Sequence, residues 1–97
     1  MGFVQIIDFT TSRYDDVRKV EDEWTAATEG IRTTPRWTIG KDRDRPNHYV
    51  EVVEFPSYAE AMKNNDLPQT KDFSQRIADL CDDVTFYNID DLETFEP

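Results

Sequence analysis

The chain has 97 residues, 21 acidic against 11 basic, for a formal charge of −10; the length fits one domain over residues 1–97 and not two. So negative a chain is repelled by phosphate backbones and anionic lipid, which excludes nucleic acid and membrane surfaces as expected partners. Aromatic residues make up 12%, too many for a disordered polyelectrolyte, and no apolar run approaches the roughly 20 residues of a membrane span.

Residues 3–11, FVQIIDFTT, are β-branched and aromatic and read as a strand. Alternation puts Phe3, Gln5, Ile7 and Phe9 on one face and Val4 and Ile6 on the other. Apolar side chains on both faces require cover on both. Ser12, with Asp15 three residues on, predicts a helix start. The helix runs to about Thr28 with Val17, Val20, Trp24 and Ala27 as its apolar stripe. Glu21 falls among the charges assigned to the solvated side. Gly30 sits where a helix C-terminal cap is expected.

Residues 31–42 read as a second strand, placed at a sheet edge by Pro35, with Trp37 and Ile39 on one face. A polar turn over 41–47 leads into a third strand, 48–55, and the short connection predicts an antiparallel hairpin. Val50, Val52 and Glu54 share one face of that strand; Tyr49, Glu51, Val53 and Phe55 share the other. Ser57 and Glu60 form a capping box that opens a short helix through Met62, which Asn64 and Asn65 are expected to break. Asp66 with Gln69 is a second cap signal, and Pro68 suits a first helical turn. Phe73, Ile77, Leu80 and Cys81 then stripe a helix ending near Asp82. Residues 84–89 form the last strand, followed by an acidic tail.

The order β-α-β-β-α-β, with the second helix split, is the ferredoxin-like α+β arrangement. Right-handed crossovers put the helices on one face of a four-stranded antiparallel sheet in spatial order 4-1-3-2. Helices cover only one face, while the central strands are apolar on both. A second copy of the sheet is the simplest cover for the other face, so a homodimer is expected. The lone Cys81 allows no internal disulfide, and the apolar run near the N-terminus is too short for a signal peptide. Both fit a cytoplasmic protein.

The segment HYVEVVEFPSYAEAM resembles the strand-then-helix signature of the dimeric α/β-barrel superfamily, which includes the antibiotic-biosynthesis-monooxygenase-like proteins. At the level of element order the resemblance covers residues 3–92. It implies two sheets paired face to face and, in each subunit, a cleft between helices and sheet. Known members include cofactor-independent monooxygenases acting on aromatic polyketides, haem-degrading enzymes and isomerases. At the three positions that haem-degrading members use, this chain carries Ile7, Asn64 and Phe73, all departures, so the resemblance implies no haem chemistry here.

Gln5 and Glu51 are polar residues in central strands and need hydrogen-bond partners when buried. Either they converge in a ligand cleft, or they pair with each other, with backbone, or across the dimer interface. Trp37 is the aromatic residue best placed to line a pocket for a flat ligand, and Asn88 in the last strand points into the cleft or to solvent. His48, the one histidine, has the intrinsic acidity of a general acid or base. At the start of a strand beside a charged turn, it also reads as an ordinary surface residue. Glu51 and His48 are thus the catalytic candidates, and Gln5, Trp37, Glu51 and Asn88 the ligand-binding ones.

Cys81, on an apolar stripe with no adjacent cation, reads as a buried inert thiol. The acidic pairs lack metal-ligand spacing, and Asp42-x-Asp44 starts like a calcium loop but does not continue as one. There is no phosphate loop, CxxC or G-x-S-x-G, and no cofactor or metal is expected. The functions compatible with these features are three. The first is a cofactor-independent monooxygenase-like or isomerase-like enzyme on a small aromatic substrate. The others are a non-catalytic binding or sensing module, and a structural homodimer with no small-molecule site.

Overall fold

The structure, a computed structural model, describes residues 2–97. Its elements are β1 (Phe3–Thr10), α1 (Tyr14–Ala27), β2 (Arg36–Lys41), β3 (His48–Phe55), α2 (Tyr58–Asp66), α3 (Pro68–Leu80) and β4 (Asp83–Ile89). The four strands form one antiparallel sheet in the order β2-β3-β1-β4. This is the ferredoxin-like topology, with β1 and β3 in the centre as the apolar content of both requires. No helix of the described residues is long and apolar enough to cross a membrane.

Register fixes which side chains share a face, because side chains alternate along each strand. Ile7 pairs with Glu51 and Phe9 with Tyr49 across β1 and β3, and Ile7 pairs with Phe86 across β1 and β4. The helices pack on this face, over a core that includes Phe3, Phe9, Val17, Val53 and Phe55. At one end of it Tyr49 stacks between Tyr14, at 4.3 Å, and Phe9, at 5.5 Å. The opposite face carries Val4, Ile6, Val50 and Val52, all half-buried, with Tyr87 and Ile89 of β4 more exposed. No helix lies over it.

Several boundaries depart from the sequence expectation for identifiable reasons. Ser12 does not cap α1; the N-cap is Arg13, with no side-chain cap bond. The Thr11 hydroxyl takes over part of this work, accepting the Arg13 N–H at 3.0 Å and donating to the Leu80 carbonyl at 2.7 Å. Asp15 and Asp16 still favour the N-terminal end of the helix dipole. β2 is shorter than residues 31–42 because Thr33 and Thr34 spend their hydroxyls on the Glu60 and Glu54 carbonyls, each at 2.6 Å. Those bonds hold this stretch as a loop that docks on β3 and α2.

Asn64 and Asn65 do not break α2, which continues to Asp66. The Asn64 side chain is buried and its carbonyl oxygen accepts the Thr33 N–H at 3.2 Å, so it does not compete for its own backbone. The break falls at Leu67 (φ −61°, ψ 133°), the residue before Pro68, where proline disfavours the helical region. Neither Asp66 nor Gln69 caps α3; the Leu67 backbone does so without a side-chain bond. The capping box at Ser57 does form, its hydroxyl accepting the Glu60 N–H at 3.2 Å. Cys81 is half-buried at the end of α3, not sealed in the core. Burial first, and then Asp82, push its thiol above the usual range.

Candidate active site

Between the helices and the sheet lies a cavity of about 670 Å³. Its floor is the helix-facing side of the sheet, including Gln5, Ile7, Trp37, Glu51 and Val53, and its roof is α1 and α3. Gln5, Trp37, Glu51 and Asn88 all reach this one space. Strand parity explains why. Gln5 lies two residues from Ile7, the partner of Glu51, so both point to the helix side. Trp37 lies two residues from Ile39, the other partner of Glu51. Gln5 and Asn88 are direct cross-strand partners, and the Gln5 amide donates to Asn88 Oδ1 at 3.2 Å.

Trp37 is held from two sides. The edge of Trp24 meets it at 5.2 Å and 87°, and the Arg32 guanidinium lies 5.1 Å from its ring centre. Trp24 is fixed in turn by a buried bond from its indole N–H to the Thr70 hydroxyl. The aromatic walls are therefore positioned by contacts with one another, with Thr70 of the same lining and with Arg32.

The most unusual feature is a pair of buried carboxyls. Glu51 on β3 is 5% exposed and Glu21 on α1 is 4% exposed, and the two hydrogen-bond to each other. Burial pushes Glu51 up to about 9, helped by the charge of Glu21 and by their hydrogen bond. Burial also raises Glu21, but there the bond to Glu51, the Arg18 charge and a hydrogen bond from Trp37 act in the opposite direction. Among the described residues neither carboxyl forms an ion pair; Arg18 itself is paired with Asp22, at 3.1 Å on the exposed side of α1.

Glu21 was expected on the solvated side of α1. Its spacing from Val17 (four residues) and Trp24 (three residues) places it on the buried stripe, and that spacing was the signal available in the sequence. Thr70 and Asn64, which also line the cavity, carried no comparable signal because their partners lie in distant segments.

His48 lies elsewhere. It is on the other face of the sheet, where its Nε2 comes 2.6 Å from Asp8 Oδ1, close enough for a charge contact although no ring N–H is aimed at the oxygen. It is buried, 8% exposed, and is not the surface residue expected at a strand end. Ile7, Asn64 and Phe73, the positions compared with haem-degrading proteins, do line the cavity. Among the described residues no group of three or more His, Cys, Asp or Glu side chains is placed to hold a metal ion.

No family model matches the sequence, and comparison with curated proteins finds no match. The fold, by contrast, has close counterparts among solved structures. SnoaB, a cofactor-independent oxygenase from Streptomyces nogalater, superposes with a TM-score of 0.82 at 14% identity, covering 99% of this chain and 98% of that one. An antibiotic biosynthesis monooxygenase gives 0.73 at 20% identity over 96% and 100% of the two chains. A dimeric ferredoxin-like protein of unknown function from Thermobifida fusca gives 0.71 at 17% identity over 92% and 90%. The chain thus has the ferredoxin-like fold of the antibiotic-biosynthesis-monooxygenase-like proteins.

Proposed function

We propose that this chain is a single-domain, homodimeric protein whose helix–sheet cleft takes a small aromatic molecule. We further propose that it acts there as a cofactor-independent monooxygenase-like or isomerase-like enzyme. The observation that carries the reading is the convergence of Gln5, Glu21, Glu51 and Asn88 on a cavity whose surface is mostly that of aromatic and aliphatic side chains, with Asn64, Thr70 and Lys71 among its further polar residues. A mostly apolar pocket with a few inward polar groups is the usual form of a small-molecule site. Structural core residues alone would not leave about 670 Å³ open beside two buried carboxyls. The fold shared with SnoaB, itself described as a cofactor-independent oxygenase, agrees with this reading at the level of fold.

The dimer is supported by the half-buried valines and isoleucine on the helix-free face, and by a structural neighbour that is itself described as dimeric. The lone Cys81 suits a reducing cytoplasm.

Titration calorimetry with 1-naphthol and with 1-naphthoate tests the cleft. The neutral phenol is expected to bind and the carboxylate to be rejected by the acidic floor. A protein that binds neither, or that binds the carboxylate as well as the phenol, contradicts the reading.

A further inference from the structure

Glu21 and Glu51 come from different layers of the fold, yet their carboxyl groups meet inside the cleft. Two ionised carboxylates offer only acceptors, so the bond between them requires a proton. A charge of −2 in this setting would have no counterion within ion-pair distance, which favours keeping that proton. The surroundings then decide where it sits. Trp37 and Arg18 favour an ionised Glu21, and Glu51 has no such support. Of the two, Glu51 is therefore the better holder of the proton and Glu21 the better base. Titratable pairs whose surroundings separate them in this way divide the roles of acid and base between them. Both side chains are more than nine-tenths buried, and both face a cavity large enough for a bicyclic guest.

We propose that Glu21 and Glu51 form an acid–base couple that enolises a neutral aromatic ketone held in the cleft. The inference rests on the cleft being a small-molecule site. In the forward step the Glu21 carboxylate takes a proton from the carbon next to the carbonyl. The C–H electron pair becomes the new C=C bond, and the carbonyl π pair moves to oxygen, which takes the proton of Glu51. One C–H bond is broken, one O–H bond is formed, and the proton now on Glu21 returns to Glu51 along their shared hydrogen bond. The step consumes no oxidant or reductant. Neutrality of the guest follows from the net negative couple, and aromaticity from the walls of Trp24, Trp37, Phe73 and Phe86.

The other titratable groups around the couple are Arg18 and Asp22 on α1, Tyr14 at its start and Tyr49 on β3. Lys71 lines the cavity from α3.

The experiment uses 2-tetralone in deuterated buffer. NMR follows loss of the protons next to the carbonyl, and line broadening of the same probe reports binding. The wild-type protein is expected to speed exchange on the order of a hundredfold over buffer. Its rate should fall at low pH as Glu21 protonates and again above about pH 9 as Glu51 ionises. Glu21→Gln and Glu51→Gln should each remove most of the acceleration while the probe still binds. Binding to the wild type with exchange at the buffer rate overturns the couple and leaves the cleft standing. Absence of binding overturns both. Undiminished exchange in a folded Glu21→Gln protein also overturns it. Should that variant not fold, a wild-type rate that is flat across pH is decisive against it.

Discussion

The indole N–H of Trp24 donates to the Thr70 hydroxyl at 3.0 Å, a buried bond between residues 46 apart in sequence. It ties α1 to the first turn of α3 at the roof of the cleft. Thr70→Val keeps the shape but leaves the indole N–H without an acceptor, a loss of about 1–3 kcal/mol. Thr70→Ser keeps the acceptor and should lose less. Urea unfolding midpoints give the comparison, and a valine variant as stable as wild type would show that the bond contributes nothing.

Stability should depend on pH through the buried pair. Glu51 is raised from 4.5 to about 9 in the folded chain, and Glu21 is raised as well. Between these values the folded state binds more protons than the unfolded one. The stabilising contribution is complete below pH 4.5 and is lost as pH climbs through about 9. Glu51→Gln removes this titration, so its stability relative to wild type should improve steadily from acid to alkaline pH. Asp42 and Glu54, half-buried at the surface and paired with Arg45 and Arg36, are shifted downward and bring the opposite slope only at the acid end. Parallel stability curves for the two proteins would argue against a buried, proton-sharing pair.

Ile6 and Val52 are direct partners on the face that no helix covers. A charge there, as in Val52→Asp or Ile6→Asp, should convert a dimer into monomers or impair folding. Light scattering at micromolar concentration distinguishes these results. Wild-type protein that already runs as a monomer, or variants that assemble normally, would refute the pairing of sheets.

Gly30 has φ +81°, and a Cβ built on it would meet no atom within 4 Å. Gly30→Ala therefore tests backbone conformation with no steric clash, and should cost about 1–2 kcal/mol. Thermal unfolding showing no change would mean that the turn relaxes into an ordinary conformation.

Much of this arrangement was legible from alternation. A period of two assigned the apolar side chains of β1 and β3 to their faces, and the strand order followed from the β-α-β-β-α-β arrangement with right-handed crossovers. Whether Gln5 and Glu51 shared a face depended on register, which the sequence of either strand alone does not contain. Glu21 was hidden because a glutamate within a charged helix reads as solvated, although its spacing from Val17 and Trp24 marks the buried side. Asn64 misled for a related reason. Its side chain looked free to break the helix but is engaged with Thr33. His48 looked exposed because its burial depends on a neighbouring strand carrying Asp8. In each case the deciding contact joins segments that local pattern does not connect.

Phe86 and Asn88 line the cavity from an edge strand, β4, where Phe86 is half exposed and Asn88 is exposed as well. The cavity is therefore a slot with one unsealed side. A guest sliding in edge-on meets a ceiling and a floor but no far wall along that border. Such a slot sorts molecules by thickness and not by length, so flat rings differing widely in their trailing substituents should all be admitted, while a bulky sp³ centre at the leading edge should not.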